Sequence, residues 1–274
     1  MKVRKLRQWR LILDTFHDGF MNMSRDESIM HAVGAGLQPP TLRLYGWHPY
    51  CLSLGYGQRI ADVDFDRLLA QGWGAVRRPT GGKAILHADE LTYSISLPED
   101  DPIARGGILP TYLRISEALY LAMAQLELSV QAMSPDTPTD AMGAVCFEVP
   151  SKYEITWAGK KLIGSAQLRR HQAVLQHGTL PLYGDITRIC EVLVYADEEQ
   201  RALARQQVAQ RATTLTEALG VSVAWQTVAE RFAIAFAQTF GMDWQLESLS
   251  DAEQDHALTL YHTVYTSDHW NLKR

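Results

Sequence analysis

The chain has 274 residues, of which 46% are hydrophobic and 21% are charged, and its formal net charge is −5. A chain of this length and composition can bury a sizeable core and should be globular. Its apolar runs all fall short of the roughly 18 residues that cross a bilayer. We therefore expect no membrane span, and we expect no nucleic-acid partner.

The N-terminal segment and the cysteines exclude further classes of protein. The first residues, MKVRKLRQWRLILD, are basic enough to open a signal peptide, but Asp14 interrupts the apolar segment 11–13. This favours a cytoplasmic protein. Cys51, Cys146 and Cys190 cannot all pair, and with nine histidines they form no zinc-type spacing. We expect no disulfide, no metal and no cofactor.

Hydrophobic periodicity predicts helices and strands along most of the chain. The sequence contains no internal repeat, and no low-complexity linker divides it. We therefore expect a single domain over 1–274, with a helix-rich C-terminal portion at about 185–274. The predicted helices lie within 18–36, 64–70, 110–130, 185–194, 197–219 and 226–240, and the predicted strands are 41–45, 52–54 and 91–97.

A glycine-rich turn, Pro79-Thr80-Gly81-Gly82, follows two arginines and precedes Lys83. Adjacent glycines let the backbone turn tightly and approach a ligand closely, and the three cations favour an anionic or strongly polar group. The segment is not a nucleotide-binding Walker A loop, because alanine follows Lys83 and no glycine stands five residues before Gly82. An ordinary glycine hairpin with solvated basic flanks remains the alternative.

Residues 153–166 predict a β-hairpin, because apolar residues alternate before the Ala158-Gly159-Lys160 turn. Cys146 shortly precedes the first strand and Lys161 opens the second, so a hairpin would bring a thiol near an ammonium. Such an ammonium lowers a thiol pKa and makes the nucleophilic thiolate available. On these residues alone an inert, buried Cys146 is the stronger interpretation, since free cysteine is among the most buried residue types.

Four motifs together resemble the biotin/lipoate protein ligase and octanoyltransferase superfamily, and within it the cysteine-dependent octanoyltransferases of the LipM type. The resemblance implies an α+β fold with a mixed, largely antiparallel sheet packed with helices. It also implies an acyl-transfer site between the glycine-rich turn and the hairpin. The motifs are RRPTGGKAILH-x-x-ELTYS from Arg77, CFEVPSKYEI from Cys146, GKKLIGSAQLRR from Gly159 and LQHGTLPL from Leu175.

The resemblance also implies roles for single residues. Cys146 matches the nucleophile that takes the octanoyl group as a thioester, and Lys161 matches the lysine of the site. Lys83 replaces a third glycine that is usual in ATP-using lipoate ligases, which favours a transferase, whereas Ala88 and Cys51 are departures without an interpretation. The positions implied for substrate binding are Arg77, Gly81, Gly82, Lys83, His87, Gly164, Ser165 and His177.

The implied reaction moves an octanoyl group from octanoyl-acyl carrier protein to a lysine of a lipoyl domain, such as the glycine cleavage H protein. These partners tend to be acidic, so a net charge of −5 would repel them and docking would need a local basic patch. An ATP-dependent lipoate–protein ligase and a non-catalytic module that binds acylated proteins remain alternatives. Candidates for the patch are Lys2, Arg4, Lys5, Arg7, Arg77, Arg78, Lys83, Lys152, Arg169 and Arg170.

Overall fold

A computed structural model describes residues 7–132 and 154–273 of the chain. The strands are β1 (Arg7–His17), β2 (Thr41–Trp47), β3 (Cys51–Leu54), β4 (Gly74–Arg77), β5 (Ile85–His87), β6 (Glu90–Pro98), β7 (Gln131–Ala132), β8 (Ile155–Trp157), β9 (Lys160–Arg170), β10 (Ala173–Pro181) and β11 (Met242–Leu246). The helices are α1 (Gly19–Gly34), α2 (Phe65–Ala70), α3 (Ile108–Gln125), α4 (Glu198–Arg211), α5 (Leu215–Leu219), α6 (Trp225–Phe240), α7 (Asp251–Leu260) and α8 (Asp268–Asn271). Within these ranges no helix is long and apolar enough to cross a membrane.

The fold is built on a mixed sheet with strand order β11-β1-β2-β6-β10-β9-β8-β7. Strand β1 pairs in parallel with β11 and β2. The other pairings in this sheet are antiparallel, which confirms the predicted mixed, largely antiparallel arrangement. A second sheet has the order β4-β3-β5, with β3 and β4 parallel and β3 and β5 antiparallel.

Helices cover both faces of the main sheet. Successive residues of a strand point to opposite faces, so neighbouring residues contact different helices. Tyr93 of β6 packs towards α6, where the rings of Phe232 and Phe236 lie 6.3 and 6.1 Å from its own, centroid to centroid. Its neighbour Ser94 faces α1 on the other side and donates to Asp26. The core between the sheet, α3 and α6 is therefore separate from the polar layer under α1.

Capping residues and a close backbone contact fix the ends of α1. The Asp18 carboxylate accepts a hydrogen bond from the Met21 amide and caps the helix N-terminus. At the other end a β-carbon on Gly34 would lie 2.0 Å from the His171 carbonyl oxygen. Only glycine allows the β9–β10 turn to approach this closely.

Several predicted elements differ from the structure in extent or pairing. The predicted helix 110–130 ends earlier, at Gln125, and two residues later Glu127 takes a left-handed φ of 62°. The predicted helix 197–219 is divided, because residues 212–214 are extended and the Thr213 amide donates to the Lys161 carbonyl. The strands flanking the glycine-rich turn do not pair with each other, so that turn is not a simple hairpin.

Candidate active site

A cavity of about 340 Å³ lies where α1, the glycine-rich turn and strands β9 and β10 meet. Met23, Tyr45 and Trp47 form an apolar part of its lining. A pocket of this size and composition suits a small organic ligand. Of the residues predicted for substrate binding, the cavity brings together Gly81, Gly82, Lys83, His87, Gly164, Ser165 and His177.

The glycine-rich turn is held from behind by Arg78, which is 3% exposed. One of its terminal nitrogens donates to Ser53, at 3.1 Å to the carbonyl oxygen and 3.0 Å to the hydroxyl. The other donates to the carbonyls of Gly81 and Lys83, each at 2.8 Å. Because one planar guanidinium binds two carbonyls at the C-terminal end of the turn, the backbone there is fixed before any ligand arrives.

Among the residues predicted for substrate binding, Arg77 is the one that does not line this cavity. Its guanidinium is fully buried and donates to the carbonyls of Gly55, Gln58 and Lys273 at 2.9, 2.6 and 2.8 Å. It also donates to the Asn271 carbonyl. Arg77 therefore joins β4 to the loop after β3 and to the C-terminal residues.

His177 of β10 links the cavity wall to α1 and to the glycine-rich turn. Its Nδ1 lies 3.3 Å from Asp26 Oδ2 and its Nε2 lies 2.7 Å from the Thr80 hydroxyl. A carboxylate only accepts, so Nδ1 carries the proton and Nε2 accepts from Thr80. Burial lowers the pKa of His177, against the opposing influence of Asp26, and this favours the neutral imidazole.

The Asp26 carboxylate is the centre of this polar layer. It accepts from Arg43 at 2.8 Å, from the Tyr45 hydroxyl at 2.8 Å and from the Ser94 hydroxyl at 2.7 Å. Burial opposes ionisation, but the Arg43 guanidinium and His177 hold the pKa of Asp26 below its usual value. The carboxylate therefore stays charged beneath the cavity.

His87, which also lines the cavity, has a similar set of partners. Its Nδ1 donates to Glu90 Oε1 at 2.7 Å, and its Nε2 accepts from the Ser53 hydroxyl at 2.8 Å. The ring also stacks on Trp47, with centroids 3.9 Å apart. Both cavity histidines are thus fixed by a carboxylate and a hydroxyl.

The predicted hairpin is present as β8 and β9, and residues 158 and 159 form its turn with φ of 48° and 79°. Lys161 is 2% exposed, and its ammonium donates to Glu154 Oε1. Glu154 and Gly164 line the cavity. A β-carbon on Gly164 would lie 2.9 Å from Lys161 Nζ, so the ammonium lies against the wall at Gly164.

The cysteines differ in what the structure says about them. Cys146 lies outside the described residues, and its role as nucleophile stays a prediction. Cys51 and Cys190 are both buried, and burial raises the pKa of the Cys51 thiol. A buried thiol with a raised pKa is a poor nucleophile. Within 7–132 and 154–273, no three histidine, cysteine or acidic side chains are grouped to hold a metal ion.

The proposed basic docking patch needs a correction. Arg77 and Arg78 are 0% and 3% exposed and bind backbone carbonyls, so neither is available to a docking protein. Arg7 pairs with Asp101, and Arg169 donates to the carbonyls of residues 104 and 107. Arg170 is half exposed. Lys2, Arg4, Lys5 and Lys152 lie outside the described residues.

Sequence reasoning missed the partners of the cavity residues. The predicted helix 18–36 contains Asp26, but helical periodicity alone does not show that this carboxylate is buried inside α1, where it is 1% exposed. Thr80 and Glu154 were quoted only as parts of motifs. The available signal was an acidic residue among buried positions of a helix, since a buried charge needs a partner.

The sequence matches the family described as the lipoyl protein ligase A/B catalytic domain over residues 18–237. The octanoyltransferase LipM of Symbiobacterium thermophilum is 39% identical over 275 residues, which cover 97% of this chain and 98% of that protein. The octanoyltransferase LipM of Kyrpidia tusciae is 37% identical over 275 residues, which cover 98% of this chain and 100% of that protein.

Solved structures show a similar fold. A bipartite lipoate protein ligase studied with its E2 lipoyl domain, from Thermoplasma acidophilum, superposes with a TM-score of 0.82 at 24% identity, covering 98% of each chain. A lipoate-protein ligase A bound with ATP superposes with a TM-score of 0.78 at 24% identity, covering 97% of this chain and 98% of that one. These similarities confirm the predicted α+β architecture.

Proposed function

The chain belongs to the lipoyl protein ligase A/B catalytic-domain family and is an acyltransferase, and we propose that it transfers octanoyl groups in lipoate biosynthesis. The observation that carries this proposal is the cavity in which the glycine-rich turn meets the hairpin. Its apolar side at Met23, Tyr45 and Trp47 suits an acyl chain. Similarity to octanoyltransferases over nearly the whole chain supports the octanoyl group.

In the first step of the proposed reaction, the Cys146 thiolate attacks the thioester carbonyl of octanoyl-acyl carrier protein. The new carbon–sulfur bond forms on Cys146, the carrier's carbon–sulfur bond breaks, and the carrier thiolate leaves and takes up a proton. One thioester replaces another, so the step needs no ATP. Cys51 and Cys190 are buried, which supports Cys146 as the reactive thiol.

In the second step, the neutral amine of a lysine on a lipoyl domain attacks the Cys146 thioester. An amide forms, the lysine nitrogen loses a proton, and the Cys146 thiolate is released for another cycle. Backbone N–H groups of the glycine-rich turn, or near Gly164 and Ser165, would stabilise the tetrahedral oxyanion. Loss of one such donor typically costs about 10²–10³ in rate.

The partners and location in this proposal follow the same chemistry. The donor is octanoyl-acyl carrier protein and the acceptor is a lipoyl domain, for which the glycine cleavage H protein is our choice. Lys83 lines the cavity and is a cation that the donor or acceptor would meet there. We also propose a cytoplasmic location, since acyl carrier proteins would have to reach the site.

Mass spectrometry of the intact protein mixed with octanoyl-acyl carrier protein tests the proposal. We expect a mass increase equal to one octanoyl group, which should disappear in Cys146→Ser and persist in Cys51→Ser and Cys190→Ser. Adding a lipoyl domain should discharge the adduct and octanoylate the domain. Normal transfer by Cys146→Ala would rule out the covalent mechanism.

A second incubation separates the transferase from the two alternatives. With ATP, magnesium and free lipoate in place of the acyl carrier protein, a ligase would modify the lipoyl domain, whereas the proposed transferase would not. A binding module would hold an acylated partner without forming any adduct. Modification in the ATP reaction, combined with no adduct from octanoyl-acyl carrier protein, would favour the ligase.

A further inference from the structure

Lys161 and Glu154 form a buried ion pair at the edge of the cavity. Each side chain is 2% exposed, and Lys161 Nζ donates directly to Glu154 Oε1. Glu154 lines the cavity and immediately precedes β8, while Lys161 is the second residue of β9. The hairpin therefore presents the carboxylate to the cavity and the ammonium just behind it.

The position of the ammonium is restricted on two further sides. A β-carbon on Gly164 would lie 2.6 Å from Lys161 Cε and 2.9 Å from Nζ, so the lysine occupies the space that a side chain there would fill. The Lys161 carbonyl accepts from the Thr213 amide at 3.0 Å. The backbone at Lys161 is thus held by the segment between α4 and α5, and the bond to Glu154 restrains the end of the side chain.

The protonation and the position of the Lys161 side chain both depend on the Glu154 carboxylate. Opposite charges in direct contact attract each other more strongly where water is excluded than at an exposed surface. Burial without a carboxylate favours the neutral amine of a lysine. Removing one member of a buried pair therefore changes the protonation of the other as well as its position.

We propose that Glu154 is a positioning residue for acyl transfer, which keeps the Lys161 ammonium protonated and directed at the cavity wall by Gly164. This inference rests on the proposed function, because it assigns Lys161 to the octanoyl-transfer site. Glu154 acts through Lys161 and makes no bond to the acyl group. Without its carboxylate, Lys161 would lose its proton at lower pH and its side chain would leave the wall.

The test compares acyl transfer by wild type, Glu154→Gln and Glu154→Asp across a range of pH. For Glu154→Gln we expect kcat to fall by about 10²-fold, the loss that a displacement of about 1 Å can cause, with a much smaller change in KM. The basic limb of its pH profile should move to lower pH. Glu154→Asp keeps the charge, so it should restore the position of that limb and part of kcat.

A double variant and a control variant distinguish positioning from stability. Replacing both members of a buried pair by apolar residues of similar volume is often nearly neutral for stability, so Glu154→Met/Lys161→Met should melt close to wild type while staying as slow as Lys161→Met. The control is Asp101→Asn. Asp101 is also a buried carboxylate, it pairs with Arg7, and it does not line the cavity. The substitution should lower the melting temperature and leave the pH profile unchanged.

The outcomes separate this inference from the proposed function. If wild type forms no octanoyl adduct and octanoylates no lipoyl domain, the proposed function fails. If wild type is active and Glu154→Gln has the same kcat and pH profile, the positioning role is refuted. The role is refuted equally if Glu154→Gln and Asp101→Asn lose activity only in proportion to their loss of folded protein.

Discussion

The two histidines of the cavity wall are held too firmly to move freely. His177 lies between Asp26 and Thr80, and His87 lies between Glu90 and Ser53. Each ring joins a buried carboxylate to a hydroxyl, and Thr80 belongs to the glycine-rich turn itself. We infer that His177, through its bond to Thr80, keeps the turn at a fixed distance from the main sheet.

The lowered pKa of His177 predicts how stability depends on pH. The pKa of His177 is lower in the folded protein than in the unfolded chain, where it is near 6.5, so folding disfavours protonation of the imidazole. The contribution of His177 to stability is therefore fully present above pH 6.5 and is lost as the pH falls below it. His177→Gln should melt below wild type at neutral pH, and the difference should narrow in acid. The measurement is the melting temperature of both proteins at several pH values. A difference in melting temperature that stays the same at every pH would contradict the prediction.

Lys161 is expected to lower the pKa of the Cys146 thiol by less than an isolated ammonium would, because Glu154 offsets its charge. Lys161→Ala should still slow acylation and move iodoacetamide alkylation of Cys146 to higher pH. Lys161→Arg keeps the charge but needs more room, so it should retain part of the pKa effect and lose most turnover. The measurement is the pH profile of alkylation, and superimposable profiles for wild type and Lys161→Ala would exclude thiolate activation by Lys161.

At the scale of elements, β9 and β10 must approach each other closely to form the cavity wall. Gly178 of β10 pairs with Ser165 of β9 and also with Tyr93 of β6. A β-carbon on Gly178 would lie 2.5 Å from Ser165 Oγ, 2.6 Å from the Gly164 carbonyl and 2.7 Å from the Tyr93 ring. The close approach of β9 and β10 in the cavity wall therefore requires glycine at position 178.

Gly178→Ala is predicted to destabilise the fold by about 1–3 kcal/mol, the usual cost of overpacking. It should also slow acyl transfer, since two of the residues that would be displaced, Ser165 and Gly164, line the cavity. Gly81→Ala provides a comparison, because a β-carbon there would meet nothing within 4 Å. Urea unfolding should show Gly81→Ala within about 0.5 kcal/mol of wild type. Equal stabilities for the two variants would contradict the packing argument.

At the scale of the whole molecule, the C-terminal residues complete structure that begins at the N-terminus. Strand β11 forms the parallel edge beside β1, and Arg10 of β1 makes a buried ion pair with Glu253 of α7. Helix α6 packs on the main sheet. These contacts support our proposal that 1–274 forms one domain.

Glu253→Gln is expected to cost about 3–5 kcal/mol, because it leaves the buried Arg10 guanidinium without a carboxylate. Glu198→Gln is the matched change at an exposed pair with Arg67, where the side chains are 70% and 42% exposed. That change should cost at most about 1 kcal/mol. Chemical denaturation of both variants makes the comparison, and similar losses would show that burial is not the deciding factor.

Most of the local structure could be predicted from the sequence, whereas the pairing of distant elements could not. The predicted helices within 18–36 and 226–240 and the predicted strand 91–97 agree well with α1, α6 and β6. The break between α4 and α5 was missed because it depends on the Lys161 strand, which is distant in sequence. Strand β1 and helices α7 and α8 were not predicted.

The same reason explains the result for the candidate site. Motifs located most of the cavity residues, because each motif keeps its residues at a fixed spacing on one strand or turn. Arg77 and Arg78 are adjacent in sequence, yet Arg78 holds the turn and Arg77 binds the C-terminal residues. Partners such as Asp26 and His177 are 151 residues apart, so only the packing of α1 on the sheet reveals them.

The hydrogen bonds of Arg77 impose an order on how this protein folds during translation. Its guanidinium binds the carbonyls of residues 271 and 273, and its own amide donates to the Asn271 side chain. Those partners are translated nearly two hundred residues later than Arg77. Strands β1, β2 and β6 pair with one another through residues 7–98, so this part of the main sheet needs none of the C-terminal residues. The strand that leads into the glycine-rich turn acquires its full set of bonds only after residue 273 has left the exit tunnel.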